Sequence, residues 1–202
     1  MEHKGFCLWF TGLPCSGKTT VADALAEKLI AKGMNVERLD GDIVRQSLTR
    51  DLGFSKEDRD MNIERITFVS KLLSRNNVAT LVTFVSPYIA ARDNARKECT
   101  NFVEAFVDAP LEACEERDVK GMYKKARQGI IKDFTGIDDP YENPPNPEIV
   151  LATHKETLEE SVNITMRRLV ELELLDPSFL VEEYTKEDEE KIRERLESLG
   201  YL

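Results

Sequence analysis

Gly12-Leu13-Pro14-Cys15-Ser16-Gly17-Lys18-Thr19 has the G-x-x-x-x-G-K-[ST] spacing of a phosphate-binding loop, and Thr20 leads out of it. In such a loop backbone N–H groups wrap a triphosphate. Lys18 reaches its β- and γ-phosphates, and Thr19 offers a hydroxyl to Mg²⁺. Pro14 has no N–H and removes one donor, while both glycines and the Lys18-Thr19 pair remain. A second chemical grouping is Asp40-Gly41-Asp42. Two carboxylates one residue apart can hold metal-bound water and take a proton from an attacking hydroxyl. Asp-Gly-Asp is also ordinary turn chemistry, and the phosphate loop is what favours the functional reading. Arg59, Asn62 and Arg65 stand at i, i+3 and i+6, which places them on or near one helix face. That trio suits an anionic, hydrogen-bonding acceptor. It equally suits a solvated face paired with Glu57, Asp58 and Asp60.

These residues need elements to hold them. Phe6 to Phe10 is a short apolar run that reads as a buried strand before the loop. Thr20 to Lys32 follows with Val21, Leu25 and Leu29 at helical spacing and Gly33 as its stop. Met34 to Leu39 reads as a strand ending at Asp40. Ser55 caps a helix to about Arg75, with Asp58 as its capping-box partner. Val78 to Val85 is the best candidate for a central strand. Ala90–Glu98 and Leu111–Arg117 read as helices, with the strand Phe102–Val107 between them. Residues 118–147 break the alternation and read as a lid carrying the basic island Lys120, Lys124, Lys125, Arg127 and Lys132. Glu148 to Leu151 is a last strand, and Thr153 caps a helix to about Leu174. The order predicts an α/β fold of three layers, a parallel sheet with helices on both faces. Thr185 opens a charged helix in the tail. Its Thr185-Lys186-Glu187-Asp188 run is taken as a cap and solvated charge, not as guanine recognition.

Composition narrows the function classes. The 202-residue chain is long enough for one well-buried domain with an appendage. We expect the domain over 1–175, including the lid, and an acidic helical extension over 176–202. That extension carries nine acidic and four basic side chains, half of the net charge of −10. Such a balance argues against general nucleic-acid binding. No apolar run is long enough to span a bilayer, so a cytoplasmic protein is expected. Cys7, Cys15, Cys99 and Cys114 have neither metal nor redox spacing and read as reduced thiols.

Several segments together resemble the adenylylsulfate (APS) kinase family of P-loop kinases, over roughly 5–175. They are Phe10-Thr11-Gly12-Leu13, Leu39-Asp40-Gly41-Asp42 with Arg45, and Leu52-Gly53-Phe54-Ser55 with Glu57-Asp58-Arg59 and Asn62-Ile63. Further on come Ser86-Pro87-Tyr88, Val107-Asp108-Ala109-Pro110, Arg117-Asp118 with Lys120-Gly121, Tyr123-Lys124-Lys125-Ala126-Arg127, and Phe134-Thr135-Gly136-Ile137 with Pro140-Tyr141-Glu142. The resemblance implies transfer of the γ-phosphate of ATP to the 3′-hydroxyl of APS, with Mg²⁺, giving 3′-phosphoadenylylsulfate (PAPS) and ADP. It implies an APS adenine between Phe54 and Phe134, and Arg45, Arg59 and Asn62 as APS ligands. Asp42 would take or orient the hydroxyl proton and Asp40 would support the metal. Arg117 would pack on the ATP adenine, Lys120 would belong to the lid, and Ser86 would face the site.

The chain departs from the family pattern at Glu64 and Ile89, where arginine is common, and in Pro14-Cys15. The resemblance also implies a homodimer, and the tail admits docking to ATP sulfurylase. Two rivals stay open: a P-loop kinase of another small molecule, such as a sugar acid or nucleotide, and a non-catalytic nucleotide-binding regulator. Phe54 and Phe134 speak against a sugar acid. Intact Lys18, Asp40 and Asp42 speak against a regulator.

Overall fold

In the computed structural model, residues 3–181 are described, together with Arg195 and Glu197. The expected helix opening at Thr185 lies outside the described residues. Five parallel strands form the sheet in the order β2-β3-β1-β4-β5. They are β1 Phe6–Thr11, β2 Val36–Asp40, β3 Ala79–Thr83, β4 Phe102–Val107 and β5 Ile149–Leu151. The helices are α1 Lys18–Ala31, α2 Gly41–Val44, α3 Lys56–Ser74, α4 Ile89–Glu98, α5 Leu111–Arg117, α6 Met122–Arg127 and α7 Leu158–Glu171.

Every residue of β1 is buried, because a parallel strand covered on both faces has no solvated side. Its side chains alternate between two cores. Phe6, Leu8 and Phe10 join Leu25 and Leu29 of α1 and Met166 and Leu169 of α7. Cys7 and Trp9 join Ile63 and Ile66 of α3 and Ala95 of α4. Each fully buried Leu or Phe contributes about 1.5–3 kcal/mol of transfer free energy. The middle place in the sheet belongs to β1. The Val78–Val85 run supplies β3, an interior strand beside it. The chain order reverses at β1, and ligands of open α/β sheets bind outside the strand ends at such a switch point.

Two local expectations change. The cap of α7 is Thr157, whose side chain accepts from the Glu160 N–H while the Glu160 carboxylate accepts from the Thr157 N–H. Thr153 lies upstream of that cap and serves the phosphate loop instead. The 118–147 segment is not all loop, because Tyr123 and Ala126 bury one face of α6. Tyr123 packs with Ala109 and Cys114, flanked by Leu13, Leu111, Phe134 and Ile137. This third, small core joins the lid to the phosphate loop. After α7 the chain turns through a short 3₁₀ helix, Pro177–Leu180, capped by Asp176. Phe179 is buried against the first core.

Candidate active site

The loop from Gly12 to Gly17 leaves β1 and enters α1. Gly12 has φ +147, and a Cβ there would stand 2.6 Å from the Val107 carbonyl oxygen. Gly17 has φ +104 and gives α1 no side-chain cap. The first N–H groups of α1 are thereby left for an anion, at the positive end of the helix dipole. Cys15 also adopts a positive φ. The Lys18 ammonium donates to the Gly12 carbonyl at 2.9 Å and the Leu13 carbonyl at 2.7 Å. Burial pushes Lys18 down to about 8, against the opposing influence of Cys114, Cys15, Asp40 and Asp42.

At the end of β2, Asp40 gathers three donors. Thr19 Oγ1 and Thr83 Oγ1 each donate to Asp40 Oδ2 at 2.8 Å, and the Asp42 N–H donates to Asp40 Oδ1 at 2.9 Å. Burial pushes this carboxyl up. The bonds from Thr83, Thr19 and Asp42, and the charge of Arg38, outweigh burial and leave it below its ordinary value. The Thr19 hydroxyl spends its hydrogen on Asp40, so its lone pairs remain available. A hydroxyl and a carboxylate oxygen suit Mg²⁺, which binds few protein ligands and takes the rest from phosphate and water. Among the described residues no group of three or more His, Cys, Asp or Glu could hold a metal. Asp42 is largely exposed and pairs with Lys120 of the lid. Asp118, beside it, caps α6 through the N–H groups of Tyr123 and Lys124.

On the other side of the loop, the Arg117 guanidinium donates to the Ser16 carbonyl at 3.1 Å and the Thr153 carbonyl at 2.7 Å. Thr153 Oγ1 donates to the Ser16 carbonyl at 2.6 Å. A cavity of about 330 Å³ opens here, bounded by Cys15, Lys18, Thr20, Arg117, Val119 and Thr157. A purine on this side would meet the Arg117 side chain.

The side expected to take the acceptor is built from α3 and the lid. Arg59 is nearly saturated. Its Nε donates to the Phe54 carbonyl, one terminal nitrogen to Thr135 Oγ1 and Asp139 Oδ2, and the other to the Asp133 carbonyl. Arg45 lies with its guanidinium carbon 4.3 Å from the centre of the exposed Phe54 ring. Phe134 meets Tyr123 edge to face at 5.0 Å. Asn62 is buried, and its Oδ1 has no partner. Arg65 does not join them. It forms a surface pair with Asp51. The partner of Arg59 is Asp139, on the far side of the lid, and not an acid of its own helix.

Ser86 is buried with a left-handed φ of +46. Its Oγ accepts from Trp9 Nε1 at 3.0 Å, and among the described residues it has no bond to Lys18 or Asp42. Of the departures, Glu64 is exposed and lines a shallow hollow with Lys56, Tyr88 and Asn94. Ile89 contributes its backbone N–H to Glu142 Oε2, a contact independent of its side chain. Sequence reasoning missed Thr153, Thr83, Asp139, Arg92 and Glu104. Only tertiary pairing gives these residues a role.

A parallel sheet with a phosphate loop at its switch point, an acid beside the loop and a basic lid define a P-loop kinase. Comparison with known proteins narrows the class. A family model described as adenylylsulphate kinase matches residues 4–152, and the chain belongs to that family. It is 68% identical over 168 residues to the probable adenylyl-sulfate kinase of Pseudomonas aeruginosa, covering 83% of this chain and 78% of that one. It is 58% identical over 177 residues to the adenylyl-sulfate kinase of Picosynechococcus, covering 88% of this chain and all of the other. Among solved structures it matches the APS kinase of Mycobacterium tuberculosis in complex with AMPPNP and APS. That match has a TM-score of 0.80 and 42% identity, over 83% of this chain and 99% of that one.

Proposed function

We infer that the chain transfers the γ-phosphate of ATP to the 3′-hydroxyl of adenosine 5′-phosphosulfate, giving PAPS and ADP. The observation that carries this reading is Arg59. Its guanidinium joins the backbone at Phe54 to the backbone at Asp133, next to Phe134, and so fastens two aromatic residues across the acceptor side. Aromatic walls suit an adenine and would be wasted on a sugar acid. Each aromatic contact adds about 0.5–1.5 kcal/mol beyond burial.

We propose roles that this geometry supports. Lys18 leaves the carbonyls of Gly12 and Leu13 for the β- and γ-phosphates. Backbone N–H groups from Leu13 to Thr20, without Pro14, receive the remaining phosphate oxygens, and Arg117 flanks the ATP adenine. Thr19 and Asp40 would hold Mg²⁺, which when bound would neutralise charge on the phosphates. Asp42 takes or orients the acceptor hydroxyl proton, and Lys120 leaves Asp42 for the substrate anion. Arg45, Asn62 and the one free N–H of Arg59 contact APS between Phe54 and Phe134. Ser86 accepts from Trp9, so its own hydrogen is the group it can offer. A closed lid excludes water, which would otherwise compete as acceptor.

We further propose a kinase unit over 1–175 with its lid at 118–147, followed by an extension over 176–202 whose first turn docks through Phe179. The protein is assigned to the cytoplasm. Among the described residues no helix is long and apolar enough to cross a membrane. A homodimer and docking to ATP sulfurylase through the extension are its proposed associations, checked by sedimentation of the protein alone and mixed with the sulfurylase.

The decisive experiment measures ADP release from Mg·ATP with APS, AMP or gluconate added separately, the product being identified by mass. APS-dependent release with PAPS formed is the expected result. Release with gluconate would discard the Phe54–Phe134 assignment, and release with AMP but not APS would discard the assignment of Arg45, Arg59 and Asn62 to the phosphosulfate. ATP binding with no turnover would favour a regulator.

A further inference from the structure

Arg92, on α4, is among the largest fully buried side chains of the described residues, yet no step above uses it. Its three guanidinium nitrogens go to three separate segments. Nε donates to Glu104 Oε1 on β4 at 2.7 Å, one terminal nitrogen to the Ser86 carbonyl at 2.5 Å, and the other to the Glu142 carbonyl at 2.6 Å. Glu104 is buried as well, and its second oxygen accepts from Arg96 at 3.2 Å. Glu148 completes the group by pairing with Arg96 and accepting the Glu104 N–H. The charges balance within these four residues.

A buried ion pair is a poor device for stability, since apolar side chains of similar size often hold a core as well. A planar guanidinium does something that they cannot: it directs donors at fixed angles. Here two of those donors fix the backbone carbonyls of Ser86 and Glu142, which belong to two separate segments. Ser86 needs fixing, because its left-handed φ of +46 is unfavourable for a residue with a side chain. Thr11 Oγ1 adds to the hold by donating to the Val85 carbonyl at 2.8 Å. Its single hydrogen is thereby used, so the 2.8 Å contact with Tyr141 must be donated by the tyrosine. The Glu142 N–H donates to the Pro87 carbonyl, and Glu142 Oε2 accepts from the Ile89 N–H. The segment 85–89 and the return of the lid at 141–142 are thus bound to each other directly through Glu142 and through the Arg92 guanidinium between their carbonyls.

We propose that Arg92 is a positioning residue for the acceptor site, holding Ser86 in its left-handed conformation and locking the Ser86–Ile89 wall to the lid's return at Tyr141-Glu142. This rests on the APS kinase reading, and PAPS formation by the unaltered protein is the reference that tests that reading separately.

Two variants test it. Arg92→Lys keeps the charge opposite Glu104 but loses the fork. The double variant Arg92→Gln, Glu104→Gln removes both charges and leaves a neutral pair. Each is expected to raise KM for APS at least tenfold, with KM for ATP changed less than twofold. A purely structural role would lower the melting temperature and the active fraction while leaving both KM values alone, and that result overturns the proposal. Should neither variant fold, hydrogen exchange on the unaltered protein decides. Adding APS with ADP is expected to protect 85–89 and 141–143 together, and protection of one segment without the other overturns it.

Discussion

In the proposed mechanism the chemistry converges on Asp42, whose position separates binding from turnover. It touches neither the phosphate loop nor the Thr19–Asp40 pair through its side chain, whose partner is Lys120. Asp42→Asn is therefore expected to lower kcat by about 10²–10⁴-fold, the range of a lost acid–base group, with ATP affinity unchanged. Steady-state kinetics and titration calorimetry check this, and lost ATP binding with intact kcat would remove the assignment. Lys18 makes a pH prediction. Its ammonium, pushed by burial to about 8, must be charged to meet a triphosphate. ATP binding at pH 9 should thus take up a proton, while binding at pH 7 should not. Affinity should weaken by up to about tenfold per pH unit above 8. Calorimetry in buffers of different ionisation enthalpy reads the proton directly. For folding, the unfolded chain holds this proton more tightly between about 8 and its ordinary 10.5, so Lys18 adds stability as pH rises through that window. Lys18, Thr19 and Asp40 were legible in the sequence because phosphate chemistry needs those types in one contiguous stretch or at a strand end. Asp139 was not, since Arg59 reaches it across the lid from a distant part of the chain. Arg59 was legible as a residue, but most of its work was not, because spacing along α3 says nothing of the carbonyls around it.

At the scale of elements, helix ends decide where the site residues stand. Ser55 Oγ accepts from the Asp58 N–H and starts α3, while the Asp58 carboxylate turns away to accept from the Gly53 N–H. One half of the expected capping box is thus spent on the Phe54 loop. Ser55→Ala should cost about 0.5–2 kcal/mol in urea unfolding. It should also raise KM for APS, because Arg59 lies in the first turns of that helix. The cap of α7 shows what sequence reading overlooked. Thr157 and Glu160 carry the capping-box spacing, and that signal outranks a threonine standing closer to the strand. Thr153 was free to serve Ser16 and Arg117 because it was not needed as a cap. Strand positions were read well for a physical reason: a parallel strand buried on both faces is apolar along most of its length. Their order in the sheet was not, since β3 is more uniformly β-branched than β1 yet lies beside it.

For the whole molecule, the body does not stop at α7. Phe179 packs into the first core, its ring 5.7 Å from His3 and with Lys32 above it. A chain ending at residue 175 loses that side chain. It should be less stable in denaturant by about 3 kcal/mol, in line with truncating a buried aromatic. A chain ending at residue 181 should keep that stability and its kinase activity. Equal stability of the two would show that the 3₁₀ turn contributes nothing. Acidity had marked this region as an appendage. The short apolar run Phe179-Leu180-Val181 is too weak a pattern to predict docking without knowing the groove it fills.

Trp9 is the one tryptophan of the chain. Its indole N–H is bonded to Ser86 Oγ at the floor of the acceptor side, within the core shared by α3 and α4. The protein therefore carries a native fluorophore wired to the proposed acceptor half of its site, on the face of the sheet opposite α1. Emission should shift when the acceptor enters and stay nearly constant when nucleotide fills the phosphate loop alone. The two halves of the binding sequence could then be timed separately by stopped flow in unlabelled protein.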